Sequence, residues 1–284
     1  MNLNGRRTSS NVDDRRRGGG AKAGLGIGGI ALVALLTWIF GGDPTAVLKN
    51  AELPSITANG QTYTPTAEEE ELATFASQIL AGTEDVWTAE FAKMGLTYTP
   101  PKMVLFHGSV KSGCGGATSS SGPFYCSADQ CVYLDLEFFT NMKQHLGADG
   151  DFAYAYVIAH EVGHHVQHLL GTLSDAHSQM ARLNEAESNK ISVRLELQAD
   201  YYAGVWAFHD NEMFHSLEAG DIEEGLRVAS LIGDDYLQKK ARGYAVPDSF
   251  NHGTSAQRAR WLKKGLTTGR PTEGDTFSPS YSAL

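Results

Sequence analysis

The sequence predicts a mostly helical α+β domain with one small sheet, set behind a single membrane-spanning helix. Three observations carry this. Stretches with apolar residues three or four apart dominate from residue 66 onward, the period of amphipathic helices. Only two short runs, residues 103–106 and 132–136, have strand character, and a Gly- and Ser-rich loop separates them. Residues 24–40 are uncharged for 17 positions.

Taken in order, residues 1–23 hold six Lys or Arg against two Asp, are rich in Gly, and cannot bury a core; they read as a disordered tail. The run 24–40 would reach roughly 25 Å as a helix, near the short limit for a bilayer. Trp38 suits an interfacial anchor. The preceding arginines predict a cytoplasmic N-terminus on the plasma membrane, with everything from Gly41 outside. A cleaved signal peptide competes, but the basic region is long and no small-x-small site follows the run. Residues 41–65, with Pro44, Pro54 and Pro65, read as a linker. The domain proper is expected over 66–266, and residues 267–284, rich in Gly, Ser, Thr and Pro, as a flexible tail. Net charge is −10 over 284 residues, and the part beyond residue 23 carries 17 basic against 31 acidic residues. That balance argues against a nucleic-acid partner. Nothing in the sequence speaks to oligomeric state.

Within the domain, acids at 68–71 crowd a first turn, and a helix is expected to about Leu80, with a second over 83–94. The apolar run 152–170 reads as a helix that Asp151 or Asp149 could cap, with Gly171 just past its end. It contains His160-Glu161-Val162-Gly163-His164. Residues i and i+4 share a helix face, so His160 and His164 can offer two imidazole nitrogens to one ion, and Glu161 can reach a water on it. This is the H-E-x-x-H arrangement of zinc peptidases. A His-Glu pair in so apolar a helix would be partly buried and would need partners, which a metal supplies.

A catalytic zinc needs a third protein ligand and an open position. Gln167 and Leu170 stand where one continuation of the motif requires Gly and His, so that branch is excluded. The helical candidate 192–209 places Glu196 and Asp200 on one face. Glu196 can ligate while Asp200 accepts the free N–H of a ligand histidine. Glu185, Glu187 and Glu223 are rivals that lack a carboxylate four residues on. His165 and His168 flank the motif; His168, one turn beyond His164, could support that ligand but reads rather as a solvated or hydrogen-bonded side chain, and Tyr201 and Tyr202 could pack near the zinc or donate to a substrate oxygen but read rather as core.

The chain resembles the bacterial, membrane-anchored family of predicted neutral zinc metallopeptidases. The residues that carry the resemblance are Arg15-Arg16-Arg17-Gly18-Gly19-Gly20, Gly122-Pro123-Phe124-Tyr125-Cys126, Val132-Tyr133-Leu134-Asp135, the run 160–167, Glu196-Leu197-Gln198-Ala199-Asp200-Tyr201-Tyr202-Ala203-Gly204, and His252-Gly253-Thr254-Ser255-Ala256-Gln257-Arg258. The resemblance implies a zincin-like, gluzincin-type endopeptidase with one Zn²⁺ per chain held by His160, His164 and Glu196. It also favours a disulfide between Cys114 and Cys126. A disulfide is expected outside the cytoplasm, and this one would clamp a flexible loop; Cys131 is left as an odd thiol that could compete for Cys126.

The mechanism so implied has a zinc-activated water attack a peptide bond with Glu161 as general base. His252 and Arg258 are candidates for the oxyanion donor, and Arg258 could instead brace the ligand helix through Asp200. Residues 132–136 could hold an extended substrate by backbone pairing or be a plain core strand. Two other readings compete. Glu161-x-x-His164 with Glu212-x-x-His215 is the paired motif of di-iron carboxylate bundles, and a membrane-anchored scaffold with a structural zinc is the other.

Overall fold

The computed structural model describes residues 1–17 and 63–284. The expected span at 24–40 and most of the linker lie outside the described residues. Among the described residues, no helix is long and apolar enough to cross a membrane.

Helix α1 (Ala67–Lys93) opens on a capping box: Thr66 Oγ1 accepts from Glu69 N–H at 3.2 Å and the Glu69 carboxylate accepts from Thr66 N–H at 2.7 Å. It runs unbroken where two helices were expected. Gly82 does not break it, because the missing side chain makes room for Arg6 and Asp210, each of which would lie 2.7 Å from a Cβ there.

The sheet has the order β1-β2-β6-β5, built from β1 (Val12–Asp14), β2 (Lys102–Phe106), β6 (Cys131–Asp135) and β5 (Phe124–Cys126). The first three are parallel and β5 is antiparallel to β6. A separate hairpin joins β3 (Ser109–Ser112) to β4 (Gly115–Thr118). Side chains alternate as strand geometry requires. Met103, Leu105, Val132 and Leu134 face the helical core, whereas Val104, Phe106 and Tyr133 join Cys126 and Cys131 on the other face. Cys114 and Cys126 are bonded, as the resemblance implied, and Cys131 is a buried free thiol donating to Asp129 O.

The further helices are α2 (Glu137–Asn141), α3 (Asp151–Leu169), α4 (Thr172–Met180), α5 (Glu185–Phe214), α6 (Asp221–Leu231), α7 (Asp234–Arg242) and α8 (Ser255–Thr268), of which α3 packs against β5. Neither Asp149 nor Asp151 caps α3; Glu224 of α6 does so, accepting from Ala153 N–H at 3.0 Å. The 30-residue α5 is the axle, packed along α3 on one side and α8 on the other. Both crossings bring backbone to backbone. A Cβ on Gly163 would stand 3.0 Å from Ala199 O, and one on Gly204 would stand 2.3 Å from Leu262 O. These close approaches put side chains of three helices within hydrogen-bonding reach of one another.

Both expected tails need correction over the residues described. Residues 1–17 are ordered against the domain, because Arg6, Arg7, Arg16 and Arg17 find carboxylates of α1 and of α5, which carries Asp210, and Val12–Asp14 extends the sheet beside β2. Residues 267–284 are also ordered. Gln198 Nε2 donates to Gly274 O at 2.8 Å, Thr276 Oγ1 donates to Arg194 O at 2.7 Å, and Leu284 is buried. Composition signals disorder only when no partner waits elsewhere in the chain, and here partners wait in α1 and α5.

Candidate metal centre

The α3–α5 crossing brings His160, His164 and Glu196 together, with donor atoms all within 4.8 Å of one another. His160 Nε2 is 3.2 Å from Glu196 Oε2 and His164 Nε2 is 3.5 Å from Glu196 Oε1. Both Nε2 atoms therefore converge on one carboxylate, and both Nδ1 atoms are engaged behind them.

Behind His160 stands Asp200, fully buried one turn along α5 from Glu196. Its Oδ1 accepts from His160 Nδ1–H at 2.8 Å and from Tyr156 O–H at 2.6 Å. Arg258, from the first turn of α8, donates to both of its oxygens at 2.9 Å and to the Tyr156 hydroxyl at 3.3 Å. Burial would raise the Asp200 pKa, but the Arg258 guanidinium and His160 outweigh it and hold the carboxyl below its ordinary value. Burial likewise disfavours charge on His160, yet Asp200 and Glu196 push its pKa up to about 10 in the absence of metal. Burial opposes the Glu196 carboxylate too, and His164, His160 and His252 bring it well below the usual range. Of the two roles the sequence left open for Arg258, the contact made here is the one to Asp200.

Behind His164 stands Gln167, which sequence reasoning used only to exclude a motif. Its Nε2 donates to Leu195 O at 2.7 Å and to Gln198 Oε1 at 3.1 Å, which turns its Oε1 toward His164 Nδ1 at 2.9 Å. A carbonyl oxygen can only accept, so His164 carries its proton on Nδ1 and leaves Nε2 free. The i, i+3 spacing of His164 and Gln167 was the signal available.

Glu161 is 8 % exposed and makes no hydrogen bond or ion pair among the described residues. His252 lies on the loop before α8. Asp234 Oδ1 accepts from its Nδ1–H at 3.2 Å, while Oδ2 accepts from the backbone N–H groups of Asn251, His252 and Gly253 at 2.7 to 3.0 Å. Burial works against charge on His252, but Asp234 and Glu196 outweigh it and raise its pKa. Its side chain is 45 % exposed, so it can meet a ligand. Asp234 was not foreseen, because its partners are amides 17 to 19 residues away.

His165 is wholly buried. Its Nε2–H donates to Thr99 O at 2.7 Å and its Nδ1 accepts from Tyr125 O–H at 2.9 Å. It therefore fastens β5 to α3, and burial lowers its pKa to about 4. Among the described residues, the free sheet edge on this side is β5. Residues 132–136, considered as a substrate edge, lie mostly in β6, which is paired on both sides by β2 and β5.

The di-iron pattern does not assemble. Glu212 accepts from His209 Nδ1 at 2.8 Å, and His215 closes α5 in a left-handed conformation; neither joins a donor group among the described residues. A second donor group, His107, Asp135 and Glu137, is partly committed: Asp135 accepts from Gly108 N–H, Glu137 N–H and the Ser119 hydroxyl.

Two imidazoles and one carboxylate are a donor set that could hold a zinc ion. The chain belongs to the family described as "Putative neutral zinc metallopeptidase", whose model matches residues 1–277. It is 47 % identical over 290 aligned positions to "Uncharacterized protein YpfJ" of Escherichia coli (strain K12), covering 99 % of this chain and 100 % of that one. It is 44 % identical over 191 positions to "Uncharacterized protein Rv2575" of Mycobacterium tuberculosis (strain ATCC 25618 / H37Rv), covering 64 % of each chain. No solved structure matches it.

Proposed function

We propose that the chain is a zinc-dependent endopeptidase of the H-E-x-x-H…E type, holding one Zn²⁺ through His160, His164 and Glu196 and acting on a peptide or protein. One observation carries the reading: three donors converge within 4.8 Å, with both histidine Nδ1 atoms engaged elsewhere. The donors fit a borderline-soft divalent ion, and zinc bound there supplies a Lewis acid that makes a water acidic near neutral pH.

The chain's own residues do the rest. Glu161, adjacent to His160 and uncommitted, takes the water proton and passes it to the leaving amine. His252, with Nδ1 held by Asp234, offers its other N–H to the developing oxyanion. Asp200, Arg258 and Tyr156 fix the His160 ring, and Gln167 fixes that of His164. The open edge of β5, fastened to α3 through Tyr125 and His165, pairs with an extended substrate backbone.

The test is Glu161→Gln in the full chain, assayed on unfolded casein alongside its zinc content. The expected result is full zinc occupancy with hydrolysis abolished. Wild-type activity in that variant would overturn the reading.

A further inference from the structure

We infer that residues 1–17 are a built-in part of the metallopeptidase domain and lie on the same side of any membrane as that domain. The observation is the packing of this arm. Val12–Asp14 pairs in register with Met103–Leu105, and the ladder continues through Met103 N–H to Asn11 O at 2.9 Å and Arg15 N–H to Leu105 O at 2.8 Å. Upstream, Asn2 N–H donates to Ser216 O at 2.8 Å, just past the end of α5.

Two buried carboxylates of the domain depend on the arm. Glu84 of α1 accepts from the Ser9 hydroxyl at 2.5 Å and Asn11 Nδ2 at 2.8 Å, and pairs with Arg7 at 2.9 Å; all its partners among the described residues come from the arm. Asp210 of α5 is fully buried and takes Arg6 in a two-pronged pair at 2.8 and 3.2 Å, with the Ser216 hydroxyl at 2.6 Å. The guanidinium carbon of Arg6 lies 3.6 Å above the Phe214 ring, and Gly82 leaves the space this pair occupies. A domain without the arm would hold buried charge with no counterion.

The arm and the rest of the domain also meet the undescribed stretch at one place. Arg17 pairs with Glu70 and Tyr63 donates to Glu69, while Arg16 Nη1 donates to Glu69 O at 3.1 Å, so the chain departs and returns beside the first turn of α1. Residues 18–62 contain one uncharged run long enough to span a bilayer; beyond it, Asp43, Lys49 and Glu52 rule out a second. A single crossing would place arm and domain on opposite sides and break every contact above. Of the arginines that argued for a cytoplasmic tail, Arg6 is committed to Asp210, Arg7 to Asp85, and Arg16 and Arg17 to Glu70, all carboxylates of the domain. The family match, which begins at residue 1, agrees with an arm belonging to the domain.

The test labels the full chain in cells with a membrane-impermeant maleimide, before and after lysis. Ser10→Cys reports on the arm and Lys263→Cys on the domain; both positions are exposed, and wild type, whose only free thiol is the buried Cys131, gives the background. The expected result is that both variants label alike: both in intact cells, or both only after lysis. One variant labelling in intact cells and the other only after lysis would overturn the inference. Purified full-length Arg6→Ala gives an independent reading, with a lowered melting temperature expected and an unchanged one counting against the arm as part of the fold.

Discussion

Helix α5 carries two buried aspartates, Asp200 and Asp210, each paired with an arginine from a distant part of the chain. The chemistry is the same and the use differs. Asp200 also binds Tyr156 and His160, so its ion pair fixes a ring that faces Glu196. Among the described residues Asp210 binds only Arg6 and Ser216, and its pair fastens the arm to the helical core. A buried salt bridge by itself therefore says little about function; what separates the two is whether the carboxylate also holds a group that faces a site.

Neutralising each aspartate separates their roles. Asp200→Asn strands the Arg258 charge, and we expect a loss of about 3–5 kcal/mol in denaturant unfolding. It should also weaken zinc binding by about 10- to 100-fold in chelator competition, since the His160 orientation is lost. Asp210→Asn should cost up to about 3 kcal/mol by the same assay, less because Arg6 can still rest on Phe214, and should leave zinc affinity unchanged. Equal zinc affinity in both variants would erase the distinction.

His165 makes a smaller, pH-dependent contribution. Its folded pKa, about 4, lies below the ordinary 6.5, so the native state resists a proton that the unfolded chain accepts. The sign is that of a depressed pKa: stability is fully present above pH 6.5 and is lost as pH falls toward 4, by up to about 3 kcal/mol. In His165→Gln the slope of unfolding free energy between pH 6.5 and 4.5 should flatten. An unchanged slope would mean that His165 is not the group titrating there.

Smallest is Gln167→Ala. It removes the acceptor behind His164 without stranding a charge, so we expect zinc affinity to fall about 10-fold, the lower end for such partners, with little change in hydrolysis at saturating metal. No change in affinity would show that His164 needs no such support.

The sequence made His160, Glu161, His164, Glu196, Asp200 and Arg258 legible because helical spacing places ligands and their partners on predictable faces, and a charged residue in an apolar helix must be paired. The structure brings all six to one crossing except that Glu161 makes no bond. What escaped was non-local. The order of residues 1–17 depends on Glu84 and Asp210, which a local reading of an arginine-rich composition cannot take into account. The short partners β1 and β5 carry too few residues to reveal that β6 is central. Asp234 gave no signal because it holds backbone amides rather than a patterned side chain. Gln167 could have been read from its spacing.

The most direct measurement is metal content of the purified full-length chain, wild type against Glu196→Ala, by elemental analysis. One zinc per wild-type chain, lost in the variant, is what the converging donors predict. Zinc retained at wild-type stoichiometry in Glu196→Ala, or none in either protein, would contradict the assignment of this crossing as a metal centre.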